Sequence, residues 1–253
     1  MPLDSLDNSA QSAFPSTVPT RKETLDNEFL AGIDSAAKKA ILGAAEYQKV
    51  EAKEVLVRGG DKATHLFLLA SGNAKYYRIN HHGDEHLLHW LVPGDVFGLA
   101  SLIKNPLAYM GSAQAIEDCE VYRWSHTEIR KLCRSHPQVA ENALRIVLRY
   151  LAEFAERHTS LTTKTAEQRL ARTLLNLGKR AGQNYPGGVQ VDVTNEQLGN
   201  LADVGMFTAS RTLTKWERAG AIGKLRGRVF IKAPEKLLSD LDPDETQNSH
   251  ARN

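Results

Sequence analysis

TNEQLGNLADVGMFTASRTLTKWERAGAIGKLRGRVFIKA, residues 194–233, is the stretch that decides the fold of this 253-residue chain. Its first four residues, TNEQ, predict a capping box that begins a short helix of about residues 195–202. After a break at 203–205, a second helix of residues 206–218 is predicted to end before a glycine. In residues 223–233 the side-chain pattern alternates on both sides of Gly227, which predicts the two strands of a wing. Together these parts predict a winged helix-turn-helix.

The apolar spacing of the second helix indicates which of its faces would enter the major groove of DNA. Ala209, Leu213 and Trp216 recur at i, i+4 and i+7, so we expect them to face the core. Arg211 lies on the outer face, and its guanidinium matches the O6 and N7 acceptors of guanine. Helix N-termini and basic wing residues favour phosphates. The other candidate DNA contacts are Thr194, Asn195, Met206, Phe207, Thr208, Ser210, Lys215, Lys224, Arg226 and Arg228.

Basic residues are concentrated in the same part of the chain. Residues 165–236 contain 12 lysines and arginines but only 6 acidic residues, whereas the whole chain has a net charge of +2. A basic third beside a slightly acidic remainder is typical of a protein in which one domain meets nucleic acid. The alternative is an ordinary solvated basic surface.

The first half of the chain has the sequence pattern of a small β-domain. Between about Val50 and Trp124, the runs EVLVRG, HLFLLASG, AKYYRI, EHLLHWL, DVFGL and CEVYRW recur about every ten residues. Glycine and proline turns separate them, which predicts an all-β sandwich or roll. Gly83 can adopt a positive φ in a hairpin loop at 80–84. A helix of about Asp26–Ala45 is expected before the strands.

A long helix is predicted to follow the strands, after a short helix over 127–134. It begins at Pro137 and ends near Thr165. Its apolar positions repeat every 3.5 residues, which is the pattern of a coiled-coil seam between two copies of the chain. The predicted dimer interface consists of Val147, Leu151, Phe154, His158 and Leu161. The alternative is that this stripe packs on its own domain. His158 could also meet its twin across the dimer and confer pH sensitivity.

The order of these parts closely resembles that of the Crp–Fnr superfamily, the cyclic AMP receptor protein and its relatives. The resemblance covers roughly Val50 to Pro234. The matching β-roll motifs are Arg58–Asp61, Leu66–Leu69, Gly72, Gly83, Pro93–Gly98 and Ala115–Trp124. The matching C-terminal motifs are Arg169–Leu177 and the pair Ser210 and Arg211. The resemblance implies double-stranded DNA, a second copy of the chain and RNA polymerase as partners.

The fold class implied is α+β, with a cyclic-nucleotide-binding-type β-roll, a long dimerisation helix and a C-terminal winged helix-turn-helix. The expected divisions are a disordered arm (1–22), a β-roll sensor domain with flanking helices (23–136), the dimerisation helix (137–165), the winged helix-turn-helix (166–240) and a disordered tail (241–253). The arm and tail are assigned from their polar, aperiodic composition.

The chain departs from the family at the positions that hold cyclic AMP. Family members that bind it use a Gly-Glu-Leu run, an Arg-Ser pair whose Arg neutralises the phosphate, and polar residues on the long helix. In this chain the matching positions are Gly98–Ser101, the pair Tyr109 and Met110, and the pair Phe154 and Ala155, so the cation is missing. Because a buried phosphate without a cation is heavily penalised, we do not expect cyclic AMP to be the effector. An apolar cavity remains, which either a hydrophobic ligand or its own side chains would fill. The residues expected to line it are Leu88, Gly98, Leu99, Ala100, Ser101, Tyr109, Met110, Phe154 and Ala155.

The recognition helix departs from the family too. Relatives place a Glu one residue before the helix's Thr, whereas this chain has Phe207, preceded by Met206. We therefore expect a two-fold symmetric operator whose half-sites keep the guanine contacted by Arg211 and differ at the neighbouring base pair.

Other classes of function find little support in the sequence. Cys119 and Cys133 are too few for an iron–sulfur cluster and are expected to be structural. Four histidines lie within residues 81–89, and solvated or packed roles are favoured over a metal or haem site. No catalytic motif, apolar span of about 18 residues or signal peptide is present, so we expect a cytoplasmic protein that is not an enzyme. The rival hypothesis is a β-roll sensory module that acts through protein–protein contacts.

Overall fold

The computed structural model describes residues 27–238, so the predicted arm and tail lie outside the described residues. The predicted single helix of about residues 26–45 is wrong. A short 3-10 helix, Glu28–Leu30, is followed by α1, Ser35–Gly43. The Asp34 side chain accepts hydrogen bonds from the first backbone N–H groups of α1, so this helix begins at its own cap.

Eight strands form two antiparallel four-stranded sheets. The strands are β1 (Glu46–Val50), β2 (Val55–Val57), β3 (His65–Ser71), β4 (Ala74–Ile79), β5 (Glu85–Leu91), β6 (Val96–Phe97), β7 (Ser112–Ala115) and β8 (Cys119–Ser125). Their orders are β1-β8-β3-β6 and β2-β7-β4-β5, and the predicted β-roll is confirmed. Gly83 has φ +88° in the β4–β5 hairpin, as expected. The apolar runs in the sequence did not predict β1 or β7. In β1 only Val50 is buried, so its side chains do not alternate between apolar and polar.

Two apolar clusters hold the roll together. The space between the two sheets is filled by residues that include Phe67 and Phe97, whose rings stack at 4.9 Å, and Tyr109. The outer surface of the β1-containing sheet is covered by the N-terminal segment and by helices α2 (His126–Ser135) and α3 (Pro137–Thr163). At the centre of this second cluster, the fully buried Trp124 donates from Nε1 to the carbonyl oxygen of Ile41 at 2.8 Å.

The long helix α3 changes its environment along its length. Its first turns bury Val139, Ala143 and Ile146 against the roll. Farther on, the 3.5-residue stripe is open to solvent, and Leu151 and Phe154 are 60% and 63% exposed. The exposed large apolar side chains of α3 are Leu144, Val147, Leu148, Leu151, Phe154 and Leu161. Within residues 27–238, the chain's own domains therefore leave this stripe largely uncovered.

The C-terminal part contains four helices and a four-stranded sheet. Its elements are α4 (Ala166–Ala181), β9 (Gln183–Tyr185), β10 (Gly188–Val191), α5 (Asn195–Leu201), α6 (Met206–Arg218), β11 (Ile222–Leu225), β12 (Arg228–Ile231) and α7 (Pro234–Leu238). The sheet order is β11-β12-β10-β9. The predicted two-stranded wing is thus one half of a larger sheet, because β10 pairs with β12 and the hairpin β9–β10 was not predicted.

The helix-turn-helix packs as its apolar spacing predicts. Ala209, Leu213 and Trp216 are all buried, and the capping box at the start of α5 is present. The turn is tight because α5 approaches α6 at Gly199. A Cβ atom at that position would lie 2.7 Å from the backbone oxygen of Val204 and 3.3 Å from the Cβ of Ala209.

Several other sequence observations can be placed. Cys119 is buried and Cys133 half-buried, and both are free thiols. Among the described residues, no three His, Cys, Asp or Glu side chains are grouped so that they could hold a metal ion. None of the helices between residues 27 and 238 is both long and apolar enough to cross a membrane.

Candidate DNA interface and effector region

The outer face of α6 carries an open concave surface. It is lined by Phe207, Ser210, Arg211, Thr214, Lys215 and Arg218. Arg211 is exposed at its centre and makes no hydrogen bond or ion pair with any residue between 27 and 238. An unpaired guanidinium keeps all its donors available for a ligand. Arg218 was not among the predicted contacts, although its spacing of seven residues from Arg211 puts it on the same face.

Three of the basic side chains predicted to contact DNA are paired with acidic neighbours. The pairs are Lys215 with Glu167 at 2.6 Å, Lys224 with Glu217 at 3.1 Å and Arg228 with Asp192 at 3.0 Å. The pairs of Lys215 and Arg228 are exposed, and exposed ion pairs contribute at most about 1 kcal/mol, so a phosphate could displace their carboxylates. Lys224 is half-buried and also donates to the Thr214 hydroxyl at 3.0 Å. Arg226 is exposed in the turn of the wing.

The remaining predicted DNA contacts lie at the starts of the two helices. The Thr194 hydroxyl accepts from the backbone N–H of Gln197 at 3.1 Å, so it is occupied as a cap of α5. Asn195 follows it and is half-buried, as are Thr208 and Ser210 on α6. Met206 and Phe207 are exposed in the first turn of α6, and Phe207 is 86% exposed.

The predicted effector residues are divided between the interior and the surface. Tyr109 is buried between the sheets, where its hydroxyl donates to the backbone oxygen of His65 at 3.1 Å and accepts from its N–H at 3.0 Å. Gly98 approaches the same tyrosine, because a Cβ there would lie 3.3 Å from its ring. Ala100 packs on this cluster as well.

The other predicted effector residues do not join that group. Leu99 packs against the cluster on the opposite side of the sheet, beneath α2 and α3, and Leu88 is half-buried on β5. Met110 and Phe154 are 77% and 63% exposed, and Ala155 is exposed as well. Ser101 is fully buried in a short 3-10 helix, Leu99–Leu102, and its hydroxyl has no partner among the described residues.

An arginine of α3 joins the roll to the helix-turn-helix. The Arg157 guanidinium donates to the carbonyl oxygens of Leu87 and Asn200, each at 3.0 Å, and its Nη2 lies 2.9 Å from Oδ1 of Asp203. Asp203 stands in the turn between α5 and α6 with φ +52°. Arg169 of α4 donates to the carbonyl oxygen of the same residue at 3.0 Å. Two arginines therefore hold the turn that sets the position of α6.

A second junction lies at the turn after β5. Nη2 of Arg180, on α4, donates to both carboxylate oxygens of the buried Asp95 at 2.8 and 3.1 Å. The His89 ring lies between Asp95, at 3.7 Å, and Glu153 of α3, at 3.6 Å. Burial raises the pKa of Asp95, but its contact with His89 and the positive charge of Arg180 outweigh that effect and hold the pKa below its usual range.

The arginine junctions were not predicted from the sequence. In the sequence, Arg157 is only a charged residue between two members of the predicted dimer seam. Its partners lie about 40 and 70 residues away, on α5 and β5, so no local spacing could have identified them.

Two family models match the chain. A cyclic nucleotide-binding domain matches residues 47–136, and a Crp-like helix-turn-helix domain matches residues 168–239. The cAMP-activated global transcriptional regulator CRP of Pasteurella multocida is 27% identical over 170 residues, 67% of this chain and 81% of that protein. Electron transport regulator A of Shewanella oneidensis is 26% identical over 184 residues, 72% of each chain.

The fold is also found among solved structures. FixK2 from Bradyrhizobium japonicum superimposes with a TM-score of 0.67 at 20% identity. The match covers 77% of this chain and 96% of that one. A likeness at this level of identity is evidence for the shared fold alone.

Proposed function

The chain belongs to the Crp–Fnr family of transcription regulators, and we propose that it binds a two-fold symmetric operator as a homodimer without cyclic AMP as its effector. The observation that carries the proposal is the exposed, unpaired Arg211 on a helix whose opposite face is buried in the domain core. A recognition helix needs this arrangement, because its base-contacting side chains must be free to enter the major groove.

The homodimer is supported by the exposed stripe of α3. Six large apolar side chains in one strip of a single helix are unusual on the surface of a monomer. The predicted seam within this strip, from Val147 through Leu151, Phe154 and His158 to Leu161, repeats at alternating intervals of four and three residues, which is the spacing of a two-stranded coiled coil. A second copy of the same helix would cover the stripe and place two recognition helices on one DNA site.

The junctions at Arg157 and Arg180 support a sensory role for the roll. Both connect the roll directly to the DNA-binding domain, one at the helix-turn-helix turn and one through α4. A rearrangement of β5 or α3 would therefore move α6. We further propose the cytoplasm as the site of action and RNA polymerase as a partner, both by likeness to the family.

We expect no binding of cyclic AMP. Tyr109 and Met110, which match the family's Arg-Ser pair, supply no cation, and the Tyr109 hydroxyl is already bonded to His65. Burying the cyclic phosphate there would leave its charge unpaired. Titration calorimetry should show no saturable heat up to about 1 mM nucleotide. The cAMP-activated relative from P. multocida, measured in the same buffer, serves as the positive control, and a micromolar Kd for this chain would contradict the proposal.

The operator-binding proposal is tested by selection of DNA from a random pool, followed by Arg211→Ala. Selection should return a two-fold symmetric motif. The substitution should then cost about 1–3 kcal/mol per half-site and relax specificity at one base pair, because the bidentate contact to guanine is lost.

The matched control is Arg145→Ala, which removes a positive charge from an exposed, ion-paired site on α3. It should leave the selected motif unchanged. If Arg211→Ala gave the wild-type footprint and sequence preference, α6 would not be the recognition helix. If the wild type enriched no sequence, the rival role as a sensory module acting through protein–protein contacts would be favoured.

A further inference from the structure

Phe207 is the most exposed of the large apolar side chains in the described part of the chain, at 86%. Its neighbour Met206 is 50% exposed. An aromatic ring in this position loses the favourable burial that such side chains ordinarily gain. It therefore marks a surface that is covered when a ligand is bound.

The surroundings of Phe207 indicate the chemistry of that ligand. The ring lies at one end of a concave surface that also contains Arg211, Lys215 and Arg218. A surface with an apolar tip and three cations suits a polyanion that also presents an apolar group. On the base edges of the DNA major groove, the apolar group is the C5-methyl of thymine.

We propose that Phe207 determines operator specificity by packing on the C5-methyl group of a thymine beside the guanine contacted by Arg211. The inference rests on the proposed function of α6 as the recognition helix. Phe207 and Arg211 are four residues apart on α6, so their Cβ atoms are about 5–6 Å from each other. Base pairs are stacked about 3.4 Å apart, which places the thymine one or two base pairs from the guanine.

The experiment compares thymine with deoxyuridine in the selected operator. This exchange removes one methyl group from the base and leaves its hydrogen-bonding groups intact. Burial of one methyl corresponds to about a fourfold change in affinity, so one exchange per half-site should weaken wild-type binding by about fifteenfold over the whole operator. In the Phe207→Ala variant, the thymine and deoxyuridine operators should bind equally well.

The variant is expected to fold, because the Phe207 side chain contributes little to the core. Arg211→Ala is the matched control, since it should weaken binding but keep the penalty for deoxyuridine. The inference would be overturned if deoxyuridine weakened binding equally in the wild type and in Phe207→Ala, or if it did not weaken binding of the wild type at all. Neither result would contradict the proposed function.

Three other outcomes also overturn the inference. A preference for 5-methylcytosine over thymine at the same position would show that the methyl group recognised is not that of thymine. A change of oligomeric state in Phe207→Ala, without any deoxyuridine effect, would assign the ring to a protein contact. Failure of the wild type to select any DNA would overturn the proposed function and this inference together.

Discussion

Leu151→Glu is expected to convert the protein from a dimer to a monomer and to weaken operator binding by more than about 100-fold. Leu151 lies in the middle of the exposed stripe of α3, at 60% exposure in the single chain. In a two-stranded coiled coil it would face its twin, so the substitution would bury two like charges without partners. A monomer then loses the gain in affinity that comes from binding two half-sites at once.

Sedimentation and fluorescence anisotropy with the selected operator would measure both effects. Ala152→Glu is the matched control, because it adds the same charge to the next residue of α3, which is exposed and off the seam. It should remain dimeric and bind with wild-type affinity. A Leu151→Glu variant that stayed dimeric would show that the stripe is not the interface, and the second copy would have to bind elsewhere.

Gly199→Val is expected to destabilise the C-terminal domain by more than about 2 kcal/mol and to abolish operator binding. Any Cβ at this position meets the backbone oxygen of Val204 at 2.7 Å, and backbone in a tight turn cannot move away as the end of a flexible side chain can. The larger valine must push α5 and α6 apart, which also changes the direction of the recognition helix.

Thermal unfolding followed by circular dichroism, together with anisotropy, would test this prediction. Gly205→Ala is the control in the same turn, where φ is −59° and an added Cβ meets nothing within 4 Å. It should cost at most about 1 kcal/mol, because Gly205 is the N-cap of α6 and alanine is less favourable than glycine there. The dimer should survive in both variants, since the stripe of α3 lies outside the C-terminal core. Wild-type stability in Gly199→Val would mean that the two helices are not packed as closely as described.

Much of the fold could be predicted because its signals are local. The capping box TNEQ, the spacing of Ala209, Leu213 and Trp216, and the turn at Gly83 each depend on residues a few positions apart. The errors arose where local signals were weak. The strand β1 buries a single residue, and the apolar pattern before it does not show that α1 begins only at its cap, Asp34.

The candidate site was less accessible to such reasoning. The sequence placed Arg211 and Phe207 on the outer face of α6, and both are exposed there. It could not distinguish Arg211, which has no partner among residues 27–238, from Lys215, which is paired with a glutamate on α4. The predicted effector residues show the same limit, because Tyr109 is buried while its neighbour Met110 is 77% exposed.

The sequence by itself determined the order of the elements, the core face of the recognition helix and the apolar stripe of α3, because backbone periodicity and capping act between near neighbours. Only the tertiary structure decided that Arg157 and Arg169 hold the helix-turn-helix turn, and that Asp95 ties the roll to α4. These contacts join residues from 34 to 85 positions apart, and their formation depends on how whole elements pack.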